Sequence, residues 1–177
     1  YQAATKEAVQ YLLNHGNDKV ALVIGSKAST INAQMRIPGY EAALKEAGQS
    51  LDEALIFEAH DSYREGYDLT EKVLESGAKA AFVSDDGIAA GLLNGLTDHG
   101  SKVPADFELI AANDTKLTEI TRPKMTSVTQ PLYDIGAVSM RLLTKLMGNN
   151  QATDGEDGDD EQNVILPHGF EERQTTR

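Results

Sequence analysis

Cysteine is absent from this 177-residue chain, and with it go disulfide staples and thiolate metal sites. The lack fits a reducing cytosol. No apolar run approaches the roughly 20 residues that a bilayer span needs, so no membrane association is expected. The opening YQAATKEAVQYLL reads as an amphipathic helix rather than a signal peptide, and without an initiator Met the chain reads as a fragment. Basic residues are scarce: 16 Lys and Arg stand against 28 Asp and Glu, a net charge of −12. Phosphate contacts need a basic face, so the chain is not expected to hold nucleic acid by itself.

Enzyme fingerprints are lacking too. There is no Gly-x-Gly-x-x-Gly or Walker loop, no Gly-x-Ser-x-Gly elbow and no His-Glu-x-x-His. His15, His60, His99 and His168 are scattered; His15 and His99 precede helix-ending glycines, where a polar or cationic residue is common. Asp85 and Asp86 are adjacent carboxylates, but neighbours at a helix start point different ways, which does not suit a concerted acid and base. Neither catalysis nor a cofactor is expected. The excess charge is uneven: Asp154, Glu156, Asp157, Asp159, Asp160 and Glu161 supply half of it in one run. With Gly155 and Gly158 and no apolar residue within that run, 150–162 reads as an acidic flexible loop. Its glycines fall at the wrong place for a calcium loop, so no metal site is assigned there.

What is present is enough for one sizeable domain or two small lobes, with 40% hydrophobic residues. Ala4, Ala8, Val9 and Leu12 share one face of a helix over 2–14 that Gly16 stops. KVALVIG (19–25) is a short continuous apolar run, as in strands buried on both faces. Helices follow at about 37–47, 63–75 and 86–98, and strands at about 55–59, 79–84 and 107–112. This alternation, with connections too long for hairpins, predicts an α/β fold with a parallel sheet covered by helices on both faces. MTSVTQ (125–130) reads as a further strand, and Pro167 demotes VILPHGFEE to an edge strand or bend.

Ligands of open parallel sheets bind at the carboxyl ends of the strands. Gly25 and Ser26, His60 and Asp61, Ser84 to Asp86, and Asn113 with Asp114 fall there, a ring of hydroxyl, amide and carboxylate groups suited to a polyol or sugar. The plainer alternative is that Asp86 caps the helix after it and that Asn113 and Asp114 shape a turn. A second feature is the helix predicted over 130–148. Its Ile135, Leu142, Leu143, Leu146 and Met147 form an apolar arc, while Asp134, Val138, Arg141 and Lys145 follow the i, i+4, i+7, i+11 spacing on the opposite side. Arg141 and Lys145 are like charges four apart, which costs an isolated helix roughly 0.2 to 0.5 kcal/mol. An anionic partner would relieve that cost, although a basic last turn also suits the helix dipole of a merely solvated face.

MRIPGYEAALKEAG (35–48), SDDGIAAGLLNGL (84–96), VPADFELIAAND (103–114) and RPKMTSVTQP (122–131) together resemble the effector-binding and dimerisation core of LacI/GalR transcription regulators, over nearly the whole chain. YDIGAVSMRLLTKLM (133–147) is most similar to the members that govern catabolite control in Gram-positive bacteria. The resemblance implies a periplasmic-binding-protein-like core of two lobes, acting as a homodimer. Residues 1–18 would lead in from the N-terminal lobe, 19–125 would form the C-terminal lobe, 126–149 would cross to the N-terminal lobe, and 163–177 would return. The helix-turn-helix that reads operator DNA would precede Tyr1. A secreted sugar-binding protein of the same fold would carry a signal sequence there instead.

The resemblance also implies two sites. On the helix of 130–148, Tyr133, Asp134, Val138, Arg141 and Lys145 match the surface that docks the serine-phosphorylated phosphocarrier protein HPr, with Arg141 and Lys145 receiving the phosphate. The effector site for a sugar or sugar phosphate would use Arg36, Asp85, Asp86, Asn113 and Asp114. Here the chain departs from the family, which commonly has Asn-Asp where Asp85-Asp86 stand and Gly-aromatic-Asp-Asx where Ala111 to Asp114 stand. Neighbouring carboxylates disfavour a sugar phosphate unless the other lobe supplies cations. Pro38 is also unusual inside a helix start. The implied mechanism is a population shift between arrangements of the two lobes.

Overall fold

The computed structural model describes residues 2–60, 62–129 and 169–177. The helix of 130–148 and the acidic loop of 150–162 therefore lie outside the described residues, as do Asp61 and His168.

Five strands pair in parallel: β1 (Val20–Ile24), β2 (Ile56–Glu58), β3 (Ala80–Val83), β4 (Glu108–Ala111) and β5 (Thr126–Thr129). With β6 (Gly169–Glu171) they form one sheet in the order β2-β1-β3-β4-β5-β6, so the strand that follows Pro167 lies at an edge. The helices are α1 (Gln2–Asn14), α2 (Ile37–Glu46), α3 (Ser62–Asp68), α4 (Thr70–Glu75), α5 (Asp86–Asp98) and α6 (Leu117–Ile120).

Period-two alternation divides the strand side chains between two cores. Val20, Leu22, Ile24, Ala80, Phe82 and Ile110 pack with Ala8, Leu12, Tyr40 and Leu44 of α1 and α2. Ala21, Val23, Ala81, Val83, Leu109 and Ala111 pack with Val73, Ile88, Leu92 and Leu96 on the other face. The sheet thus has helices on both faces, as its uninterrupted apolar strands require. Glycines set the helix spacing on the second face. A Cβ at Gly91 would run into the Tyr63 carbonyl oxygen, and one at Gly66 into that of Ile88, so α3 and α5 touch backbone to backbone.

Two helices differ from expectation. The helix expected over 63–75 breaks at Leu69: the buried Thr70 donates its hydroxyl to the Tyr67 carbonyl (2.8 Å) and crowds against Gly95. The helix expected from 37 is preceded by a π turn, Asn32–Arg36, in which the Ile37 amide donates to the Asn32 carbonyl. Pro38 follows in the first turn of α2. It has no N–H to place, and the wider turn relieves the ring's clash with the carbonyl four residues back.

The amino end of the sheet holds a buried charge that the apolar look of the fourth strand conceals. Glu108 opens β4 fully buried. Its carboxylate accepts from Arg177 Nη2 (3.1 Å), the Arg177 amide (2.7 Å) and Asn17 Nδ2 (2.5 Å), and faces His15 Nδ1 at 3.0 Å. His99 behaves as a helix-end residue, with Nδ1 2.8 Å from the Gly95 carbonyl.

Candidate functional site

At the carboxyl ends of β1, β2, β3 and β4 the loops enclose an open cavity of about 410 Å³. Its walls are Gly25 after β1, Asn32 and Arg36 of the π turn, Ala59 and His60 after β2, Ser62 at the start of α3, Ser84 and Asp85 after β3, and Asn113 after β4; Ile31 and Ile88 add apolar surface. Each strand contributes through the residue that follows it, the outcome of parallel strands ending at a common level.

Arg36, Asp85 and Asn113, three of the five residues expected at an effector site, come together on this wall. Asp85 also caps α5, accepting from the Ile88 amide at 3.0 Å, so the cap is Asp85 and not Asp86. The Asp85 backbone is extended there, as a capping residue requires, and one carboxylate oxygen is committed to the helix. Arg36 donates to Asn32 Oδ1 (3.2 Å), and Asn32 in turn donates to the Ser26 carbonyl (2.8 Å), which holds both side chains on the π turn in place.

Asp86 and Asp114 point elsewhere and stand behind the wall. Asp86 is 2% exposed; Oδ2 accepts from the Thr115 amide at 2.6 Å, while Oδ1 has no hydrogen-bond partner. Burial pushes its carboxyl above the ordinary carboxylate range, against the hydrogen bonds from Thr115 that lower it. Asp114 accepts from Arg173 Nη2 at 2.7 Å and from Thr118 Oγ1 at 3.3 Å. Asn113 and Asp114 do make a turn, with φ of 77° and 50°. Left-handed conformations of this kind suit Asn and Asp better than most residues.

Asn32, Ser62 and Arg173 were not legible as site residues. Asn32 depends on the π turn, which has no sequence signature. Ser62 depends on a break in chain direction at φ 49°. Arg173 sits beyond the last strand, far from the loop it meets.

The cavity offers hydroxyls, amides, one guanidinium and one carboxylate, donors and acceptors in mixed order. That chemistry suits a ligand with several hydroxyl groups. His60 Nε2 is 3.5 Å from Glu58 Oε2, on the rim, and neither bonds Ser62 or Ser84 as a base would. Among the described residues no cluster of His, Asp or Glu could hold a metal ion, and no helix is long and apolar enough to cross a membrane.

A second concavity of about 650 Å³ lies between α3, α5 and α6, lined by Tyr63, Gly87, Ala90, Asn94, Leu117 and Ile120 among others. Tyr63 and Ile120 are 44% and 67% exposed. Together they make an apolar patch on the surface of the second helical layer.

Residues 9–176 match the periplasmic binding protein-like domain family. Catabolite control protein A of Streptococcus mutans is 46% identical over 177 residues, all of this chain and 51% of that protein. The chain thus spans about half the length of the curated relatives it matches. Among solved structures, the transcription regulator CcpA of Lactococcus lactis is 43% identical with a TM-score of 0.81, over 100% of this chain and 62% of that one. A LacI family transcriptional regulator from Enterococcus faecium, solved with bound ribose, is 28% identical with a TM-score of 0.77, over 99% of this chain and 62% of that one.

Proposed function

The chain belongs to the periplasmic binding protein-like domain family, in the form that LacI/GalR transcription regulators carry, and we propose that it is the effector-binding and dimerisation region of a catabolite-control regulator. The observation that carries this reading is the polar cavity at the carboxyl ends of four parallel strands, with Arg36, Asp85 and Asn113 on its wall. Four loops and a π turn converge on it, and none of them supplies a nucleophile with its base. Binding without catalysis is what such a wall can do.

The ligand in this reading is a sugar. Arg36 and Asn32 form a donor and acceptor pair that fits vicinal hydroxyls, and Asp85 and Asn113 face them as further acceptors and donors. In this reading the sheet with its helices, residues 2–129 and 170–177, is the C-terminal lobe, with α1 and β5 part of it. Homodimerisation uses the apolar patch of Tyr63 and Ile120, whose exposure is otherwise costly for a surface helix layer. Operator DNA is read by a helix-turn-helix outside this chain. Serine-phosphorylated HPr docks on Tyr133, Asp134, Val138, Arg141 and Lys145, where two cations four residues apart in sequence provide half of a phosphate site.

Titration calorimetry with ribose and a set of hexoses tests the pocket in the full-length protein. At least one sugar is expected to bind, Arg36→Ala to weaken it at least about tenfold, and Lys72→Ala, at an exposed position of α4, to leave it unchanged. Binding indifferent to Arg36→Ala contradicts the assignment of the pocket.

A further inference from the structure

Asn113 and Asp114 are consecutive non-glycine residues in the left-handed region, with φ of 77° and 50°. Such a pair is unfavourable in isolation and persists only where its surroundings fix it. Three contacts do so. The Asp114 amide donates to Ser127 Oγ (3.1 Å), the Thr115 amide donates to Asp86 Oδ2 (2.6 Å), and Asp114 Oδ1 receives Arg173 Nη2 (2.7 Å).

Arg173 does more than pair with Asp114. Its Nη1 donates to the Met125 carbonyl (2.8 Å) and its backbone amide donates to Thr126 Oγ1 (2.9 Å). The side chain is 13% exposed and that of Asp114 28%, so the ion pair is shielded from solvent. The two terminal nitrogens of one guanidinium therefore hold two different chain segments, a geometry a lysine cannot reproduce. Met125 immediately precedes β5, the strand that leads to residue 130, and Arg173 follows β6, where the chain has come back from residue 168. Asn113, at the other end of the link, is a wall residue of the cavity.

We infer that Arg173 is a positioning residue for the effector site: it fixes the 113–115 loop through Asp114 and joins that loop to the two segments by which the chain leaves for, and returns from, residues 130–168. The inference rests on the reading of the cavity as an effector site. A change in the pose of Asn113 on binding is transmitted to β5 and to the start of the 173–177 segment through one side chain that touches no ligand.

The test uses the full-length protein with Arg173→Met, Arg173→Lys, Asp114→Asn and the double variant Arg173→Met with Asp114→Asn. Without ligand, amide hydrogen exchange in Arg173→Met is expected to rise at least tenfold in both 112–118 and 125–129, with β1 and β3 unchanged. Asp114→Asn is expected to give the same rise in 112–118, and the double variant no further rise, because both remove one link. Arg173→Lys restores protection in one of the two segments but not in both. Additive effects in the double variant, or loosening confined to 169–177, overturn the inference. With ribose, Arg173→Met is expected to bind at least fivefold more weakly than wild type, and unchanged affinity also overturns it. If wild type binds no ribose, the sugar reading is what fails for that probe, and the exchange measurements decide the role of Arg173 alone.

Discussion

Glu108 Oε1 and His15 Nδ1 lie 3.0 Å apart across 93 residues of sequence, joining the end of α1 to the start of β4. They stand at the amino end of the sheet, opposite the cavity, and belong to the frame that holds the site. Burial by itself would raise the Glu108 carboxyl, but hydrogen bonds from Arg177, His15 and Asn17 outweigh it and bring it from 4.5 down to about 2.

A carboxyl with a depressed folded-state pKa stabilises the fold above its unfolded value and loses that contribution as pH falls through the folded one. The window is pH 4.5 to about 2. Denaturant unfolding followed across that range is expected to show stability falling with a slope of up to about 1.4 kcal/mol per pH unit from this one group. Glu108→Gln removes that component of the slope and lowers stability at pH 7.

Asp86 has the opposite character. One of its oxygens is buried without a partner, and a charged group in that position is costly. Asp86→Asn keeps an acceptor for the Thr115 amide and removes the buried charge. The ligand-free protein is expected to gain about 1 kcal/mol, read as a rise of roughly 2–4 °C in melting temperature. A fall in melting temperature would show that the unpartnered oxygen is satisfied in solution.

Gly91 tests the packing of the second helical layer. A methyl group there meets the backbone of Tyr63 and Tyr67, whereas one at Gly25 meets nothing within 4 Å. Gly91→Ala is expected to cost about 1–3 kcal/mol, against less than about 0.5 kcal/mol for Gly25→Ala. Thermal melts of the two variants make the comparison directly.

The layers of this fold were legible because its strands are continuous apolar runs separated by amphipathic helices, and periodicity reports both. The carboxyl-end ring followed from topology alone: of the residues placed on it by strand ends, Gly25, His60, Ser84, Asp85 and Asn113 line the cavity, Ser26, Asp86 and Asp114 do not, and Asp61 lies outside the described residues. Arg36 needed the family resemblance, since its place depends on a π turn that no pattern of side chains announces. Asp86 and Asp114 show the limit of reading by adjacency. Each lies next in sequence to a wall residue, yet its side chain turns away to bond Thr115 or Arg173. Arg173 and Glu108 were invisible for a related reason: their partners are 59 and 93 residues away in sequence, and only the folded sheet brings them together.

In the function proposed above, this chain is the control region of a regulator in which a docked partner changes how tightly operator DNA is held. Fluorescence anisotropy of a labelled operator with the full-length protein, with and without serine-phosphorylated HPr, measures that coupling directly. The account predicts that the phosphorylated carrier tightens or weakens operator binding at least about fivefold. The unmodified carrier is expected to have no such effect, and Arg141→Ala with Lys145→Ala to abolish the difference. Operator affinity that is the same with phosphorylated carrier, unmodified carrier and no carrier at all would contradict it.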